Sequence, residues 1–367
     1  MTTEADRRHM RHAIALASRG VGRTGRVPSV GCVIVGPDGS VVACGRTDES
    51  GRPHAEAVAL AAAGTAARGA TAYVTLEPCS HVGLTGGPCA DLLIAAGVAR
   101  VVIACGDPDP RVDGQGIAKL KAAKIVVDLG LDETQARSTL EGFFSHIRRK
   151  RPYVTLKIAQ SLDGKTATAN GDSKWITGEE SRRFGHLLRA RNDAILVGIG
   201  TALADDPELT CRVAGLERYS PLRVVLDSRL RLQADSRLAA GALKIPTVVF
   251  TTAEAGGAAL SARGIDVIRV APDAQGRPDL NAMLTELSTR NVTRLLVEGG
   301  AAIHAAFLDR GLADALEIFT APIALGGDGH DGIDVLAAAT VGAAPRFTRE
   351  SVRKIGADVL ESYRARA

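Results

Sequence analysis

Pro53-His54-Ala55-Glu56, followed by Glu77-Pro78-Cys79 and then Pro88-Cys89, are the stretches whose reading decides what this chain is. They bring together one imidazole, two thiols and a carboxylate two residues from the imidazole. A zinc site that activates water needs three protein ligands and an open fourth position, where the metal lowers the pKa of a bound water. It also needs a nearby acid that does not bind metal and carries protons between the attacking water and a departing amine. His54, Cys79 and Cys89 are the candidate ligands and Glu56 the candidate shuttle. The combination points to hydrolytic deamination.

Neither half of this pattern is specific alone. His-x-Glu at a helix start usually marks only a polar first turn, and Pro-Cys pairs are common. Their order, inside alternating strands and helices, carries the reading. Two plainer alternatives stand beside it: a closed structural zinc site with His81 as fourth ligand, or three unrelated buried polar residues. Proline-preceded cysteines at the mouths of apolar runs are not a usual core arrangement.

Working outward, 367 residues are too many for one ordinary core and suit two domains, 1–150 and 151–367. With 46% hydrophobic and 23% charged residues the chain reads as globular. Aromatics are only 3%, so the core must be built from small aliphatics. A net charge of +4 permits an anionic substrate but does not argue for nucleic acid, which leaves a clustered basic stripe. The one dense cluster, Arg148-Arg149-Lys150-Arg151, reads as a solvated helix end and linker. The six cysteines lack disulfide-framework spacing, and Cys32, Cys44 and Cys105 sit in apolar runs as candidate core residues. No signal-peptide layout or membrane-length apolar run is present, so a reducing cytoplasm and no membrane partner are expected.

Periodicity predicts a helix over 5–19, strands over 30–35 and 41–44 around a Pro37-Asp38-Gly39 turn, and a helix from His54 to Gly64. A strand over 70–76 delivers Glu77-Pro78-Cys79, and a helix runs from Cys89 to Ala96. Strand 100–105, the loop Asp107-Pro108-Asp109-Pro110, helix 116–123, strand 125–127 and a last helix complete the first half. All three candidate ligands should then lie at helix N-termini, which favour thiolate, at the carboxyl edge of the sheet. The second half alternates again: strands 153–158, 194–197, 222–226, 247–250 and 294–297, with helices 179–190, 279–290 and 301–308. Glu298-Gly299-Gly300 before a helix start is a ready anion site, although such pairs also serve as plain turns. Gly198-Ile199-Gly200 does not continue as a dinucleotide fingerprint.

Several motifs in order resemble one family over nearly the whole chain. Val30-Gly31-Cys32-Val33-Ile34-Val35, Pro53-His54-Ala55-Glu56, Thr75-Leu76-Glu77-Pro78-Cys79-Ser80-His81 and Asp107-Pro108-Asp109-Pro110 resemble the deaminase half of the bifunctional riboflavin-biosynthesis deaminase/reductase. Lys157 to Asp163-Gly164, Ser173-Lys174-Trp175-Ile176-Thr177, Ala204-Asp205-Asp206-Pro207, Leu226-Asp227-Ser228 and Glu298-Gly299-Gly300 resemble its reductase half. The resemblance implies an α/β protein, a cytidine-deaminase-like α/β/α domain followed by a dihydrofolate-reductase-like α/β domain. It implies zinc-dependent deamination of 2,5-diamino-6-ribosylamino-4(3H)-pyrimidinone 5′-phosphate, then NADPH-dependent reduction of ribosyl to ribityl. It implies NADPH contacts at Ala159, Trp175, Thr201, Asp205 and Ser228, and along Gly300, Ala301, Ala302, Ile303, His304, Ala305 and Ala306. Substrate contacts are implied at Ser173, Arg189, Leu209, Arg212 and Glu298. Arg189 and Arg212 can grip a sugar phosphate through bidentate bonds; without the motif, each would read as a surface ion pair. Lys157 and Glu298 are candidates to assist opening of the sugar ring. A homo-oligomer is also expected.

The match breaks at three places. Val27 replaces an asparagine whose amide reads the pyrimidine in the family, Thr47 stands where histidine is common, and Leu84 replaces a basic residue in a loop one residue longer. These positions are expected to face substrate, and a lost reading hydrogen bond can cost about 10⁴ in selectivity. Three functional readings follow. Both activities operate, with Ser29 or backbone groups replacing the amide; or the reductase works beside a zinc-holding deaminase of lost or altered substrate. The third, a nucleic-acid-binding or editing protein, is opposed by the modest charge and the second domain.

Overall fold

A computed structural model describes residues 2–80 and 87–366. The chain divides into two compact units, Met1–Lys150 and Arg151–Ala367. The first runs α1 (Glu4–Ser18), β1 (Gly31–Val35), β2 (Val41–Arg46), α2 (Ala55–Ala63), β3 (Thr71–Leu76), α3 (Cys89–Ala96), β4 (Arg100–Cys105), α4 (Gln115–Ala122), β5 (Val126–Leu129) and α5 (Glu133–Arg149). Its sheet has the order β2-β1-β3-β4-β5. β1 is antiparallel to β2 and β3, whereas β3, β4 and β5 are parallel. β1, β3 and β4 are enclosed on both faces, which is why their sequences are continuous apolar runs rather than alternating ones.

The expected small-aliphatic core is present: Ala13, Cys32, Val33, Ala72, Val74, Val102 and Ala104 are fully enclosed. Cys105 joins them, but Cys44 does not. It is half-buried on the edge strand β2, with Sγ 3.9 Å from His12 Nε2. An apolar run on an edge strand has one open face, so its period could not show which way the thiol turned.

The second unit runs β6 (Tyr153–Gln160), β7 (Lys165–Ala167), α6 (Glu179–Ala190), β8 (Ala194–Gly198), α7 (Ile199–Asp205), β9 (Leu222–Leu226), α8 (Arg237–Ala240), β10 (Thr247–Thr251), α9 (Ala258–Ser261), β11 (Asp266–Arg269) and α10 (Leu280–Thr289). It ends with β12 (Arg294–Val297), α11 (Ala301–Asp309), β13 (Ala315–Thr320), β14 (His330–Asp331), β15 (Phe347–Ile355) and β16 (Asp358–Ala365). The large sheet has the order β11-β10-β9-β8-β12-β6-β13-β16-β15. All neighbours are parallel except β13–β16 and β15–β16. After β6 the chain steps across to β8, walks outward to β11, then returns to insert β12 between β8 and β6. That reversal opens a crevice at the carboxyl ends of β6, β8 and β12.

Periodicity did not reveal α7 or the strands after α11. β15 is an outer strand whose residues 348–350 are threonine, arginine and glutamate, all exposed. Charges on an edge protect it from pairing with other chains and erase the apolar signature of a strand. The basic cluster at the boundary is also not uniformly solvated. Arg151 is largely buried, its Nη1 2.6 Å and Nη2 2.9 Å from the Asp314 carboxylate, which also accepts from Val154 N.

Glu77 is what sets the loop carrying Cys79. Its buried carboxylate accepts hydrogen bonds from Gly114 N and Ile117 N, both at 3.1 Å, at the start of α4. Those N–H groups have no partner inside the helix, so the carboxylate both satisfies them and meets the positive helix end. The helix then lies so close that a Cβ at Gly116 would stand 2.1 Å from Pro78 O. Glu77→Ala should leave two N–H groups at the start of α4 without their partner and destabilise the first unit by about 2 kcal/mol. Urea unfolding checks this; an unchanged midpoint would contradict the assignment.

Candidate active sites

In the first unit His54 is the N-cap of α2, Cys89 opens α3, and Cys79 lies in the segment leaving β3. Cys79 is therefore not at a helix N-terminus as the sequence suggested; α3 instead points its first N–H at it, with Cys89 N 3.3 Å from Cys79 Sγ. His54 Nδ1 stands 3.6 Å from Cys79 Sγ and 3.4 Å from Cys89 Sγ. The three ligand atoms lie within 4.8 Å of one another. Tetrahedral zinc with ordinary Zn–S and Zn–N lengths separates sulfur from nitrogen by about 3.6 Å. The donor set fits that ion. The Cys89 thiol, His54 and the Cys89 N–H together hold the Cys79 thiol below its usual range against the opposing effect of burial.

Glu56 sits two residues into this cluster, on the first turn of α2, and is only 3% exposed. Burial pushes its carboxyl up to about 7 against the opposing pull of His54. A carboxyl that gains and loses a proton near neutrality suits a shuttle. Behind the thiols Asp107 is buried as well, and burial raises it to about 6 while Asp109 N donates to it at 2.8 Å.

The structure corrects two expectations for the substituted positions. Ser29 donates its hydroxyl to Ala17 O at 2.7 Å in a buried site, so it does not replace the missing amide. Thr47 does not face substrate: it is buried, accepts from Val30 N at 2.9 Å and donates to Pro28 O at 3.1 Å. Leu84, His81 and the longer loop lie outside the described residues.

In the second unit two cavities open at the carboxyl ends of the parallel strands. One, of about 460 Å³, is lined by Lys157, Ala159, Ser173, Trp175, His186, Arg189, Thr201, Asp205, Leu209, Arg212, Glu298, Gly300, Ala301 and His304, among others. The other, of about 520 Å³, is lined by Thr201, Ser228, Gly300, Ala302, Ile303 and Ala306, with Arg229, Arg231, Arg277 and Arg310 on its rim. Thr201 and Gly300 belong to both, so the cavities adjoin. Ala305 lines neither; its side chain is buried behind the α11 turn. Between them a Cβ on Gly299 would come within 2.7 Å of Val197 Cα, and Gly300 adopts φ +37°. Only glycine lets β12 leave the sheet this close to β8.

Glu298 and Arg189 form a bidentate pair, with Nε and Nη2 each 2.8 Å from the carboxylate, while Nη1 donates to Thr210 O at 3.0 Å. Arg189 therefore meets Glu298 and does not present its fork to a sugar phosphate, contrary to the expectation. Burial would raise Glu298, but the Arg189 guanidinium outweighs it and holds the carboxyl at about 2. Lys157 faces the same cavity, where burial lowers its ammonium below the usual range. Trp175 is 66% exposed at the cavity mouth, with the Arg182 guanidinium 4.7 Å above its ring. It is not a core anchor.

Comparison with known proteins accords with this architecture. Residues 3–105 match the cytidine and deoxycytidylate deaminase zinc-binding region, and residues 152–360 match the RibD C-terminal domain. The chain is 39% identical to riboflavin biosynthesis protein RibD of Aquifex aeolicus, covering 98% of each. The chain belongs to the RibD family. It is 40% identical to the Escherichia coli RibD, over 96% of this chain and 98% of that one. A crystallised RibD from Acinetobacter baumannii superposes with a TM-score of 0.87 at 37% identity, over 99% of both chains. The Thermotoga maritima deaminase/reductase gives 0.86 at 35% identity, over 98% of this chain and 99% of that one. Like other RibD proteins, this one is a bifunctional riboflavin-biosynthesis enzyme, a zinc-binding deaminase region joined to a reductase domain.

Sequence reasoning missed His186 in this RibD chain. It lies three residues before Arg189 on α6, and only the shared cavity wall gives it away. The Glu298 pairing carries a testable sign. A carboxyl whose folded pKa lies below its unfolded value contributes stability above the unfolded pKa, and loses it as pH falls through the folded one. The shift from 4.5 to about 2 amounts to about 3 kcal/mol. Glu298→Gln should therefore lose less stability than the wild type as pH falls from about 5 to about 2. Parallel acid-unfolding curves for the two proteins would contradict the pairing.

Proposed function

We propose that the first unit removes an amine by hydrolysis from 2,5-diamino-6-ribosylamino-4(3H)-pyrimidinone 5′-phosphate, and that the second reduces the ribosyl group of the product with NADPH. The observation that carries the first step is the converging trio His54 Nδ1, Cys79 Sγ and Cys89 Sγ beside a buried Glu56. The trio would hold zinc, which when bound makes a water nucleophilic at neutral pH. Glu56 would be the proton carrier beside it, its carboxylate accepting a proton and its carboxyl delivering one to the leaving amine. Enclosure of Cys79, Cys89 and Glu56 excludes bulk water from the proton path.

For the second step, the adjoining cavities suit an elongated dinucleotide threading past Thr201 and Gly300, with its phosphates against the α11 turn. NADPH when bound supplies the hydride. Ala159, Trp175, Asp205 and Ser228 complete its walls, and Ser173, Leu209 and Arg212 face the ribotide. Lys157 is the proton donor for opening the sugar ring, because burial weakens its hold on the proton. Glu298, held ionised by Arg189, attracts the Lys157 ammonium and offsets positive charge developing at C1′. Six free cysteines support a reducing cytoplasm. A homo-oligomer is the assembly we infer for it.

A second reading, a deaminase half with changed substrate, is favoured by one observation: the Ser29 hydroxyl spends its hydrogen on Ala17 O and so does not supply the donor of the missing amide. Purified protein given the diaminopyrimidine ribotide decides between them, since ammonia released at a normal catalytic rate eliminates the second reading. Glu56→Gln should keep one zinc per chain yet cut ammonia release by about 10²–10⁴. Unchanged release would refute its role. Cys79→Ser should drive bound zinc towards zero, and full occupancy in elemental analysis would refute the ligand set.

A further inference from the structure

With Arg189 turned to Glu298, the cationic wall of the 460 Å³ cavity is short of one partner for a phosphate. His186 lies one helical turn before Arg189 on the same face of α6 and lines the same cavity. Its Nδ1 is 3.0 Å from Thr210 O, the carbonyl that also accepts from Arg189 Nη1. A carbonyl only accepts, so Nδ1 carries a proton and Nε2 is the ring atom left for a ligand. Two residues beyond Thr210, Arg212 is more than half exposed and only loosely paired with Glu208, at 3.4 Å. Thr210 O thus gathers His186 and Arg189, and Arg212 follows on the same loop.

We propose that His186 is a phosphate-binding residue of the reductase, donating from Nε2 to the 5′-phosphate beside Arg212, and that the ring takes up a proton when the phosphate binds. This rests on the ribotide reading of the cavity. Without ligand, burial disfavours the charged ring. Arg189 on its own helix and Arg212 on the facing loop repel a charge there, and the Thr210 carbonyl and Glu298 at the end of β12 favour one without outweighing them. A phosphate dianion reverses that balance, because the imidazolium donates a charge-assisted bond from Nε2 where the neutral ring, its proton on Nδ1, only accepts. Phosphate affinity should therefore fall as pH rises from the titration of His186 in the free enzyme to its raised value in the complex.

The test uses the full chain with NADPH and the phosphorylated aminouracil ribotide, beside its dephosphorylated counterpart, from about pH 6 to about pH 9. Wild-type KM for the phosphorylated substrate should rise across this range by about tenfold, the worth of one charge-assisted bond. His186→Asn should raise KM at the acid end by about tenfold and flatten the profile, with kcat within about twofold. His186→Lys should restore the low KM and hold it to higher pH. The dephosphorylated substrate should respond to neither variant. A His186→Asn enzyme with wild-type KM and slope overturns the proposal. Should the wild type not reduce the ribotide at all, the reductase reading fails, and His186 is judged by its ring NMR signal during titration with ribose 5-phosphate. An upward-shifted titration supports the phosphate role; an unmoved one overturns it.

Discussion

The second unit depends on an enclosed carboxylate meeting a fork of exactly matching charge. Glu298 is largely enclosed at the cavity wall, where a lone carboxylate would be costly enough to protonate or expel. Arg189 removes that cost from across the crevice, tying α6 to the end of β12 and, through Thr210 O, to the loop before β9. With three elements fixed by one guanidinium, the cavity walls have a defined spacing before any ligand arrives. Lys157 and His186 then face a permanent negative charge rather than a titrating one. The bond geometry thus serves the wall and leaves other cations free for ligands.

The first unit meets the same difficulty with different means. Its polar centre is distributed over a helix cap, a strand exit and a helix start, so each piece needs its own anchor. Glu77 anchors the strand exit by capping α4, and the N–H of Cys89 steadies the Cys79 sulfur. Glu56 caps no helix, and burial pushes it towards neutrality although His54, a backbone N–H and Cys89 pull the other way. A glutamate used as a cap and another kept as a proton carrier differ by what surrounds them, although both precede or follow the ligands by two residues.

Legibility followed the same division. Buried strands were readable because enclosure on both faces forces continuous apolar runs, and the alternating order of elements was readable from caps and glycines. The outer strand β15 and its neighbour β16 were not, since an exposed edge tolerates charge and β16 keeps only alternate residues buried. His54, Glu56, Cys79 and Cys89 announced themselves by residue type and order. Arg189 was read as a phosphate grip because its partner stands 109 residues away in sequence. Ser29 and Thr47 were read as facing ligand because a hydroxyl can bond in any direction, and nothing local says that Ala17 O and Pro28 O are within reach.

The amino-acid sequence by itself determined the layered α/β class, the family, and the donor set for a metal, because these rest on local periodicity and on the chemistry of particular side chains. Tertiary structure alone decided which charges face ligands and which face each other. That choice depends on distances between residues far apart along the chain, and a few ångströms separate a buried ion pair from a binding group.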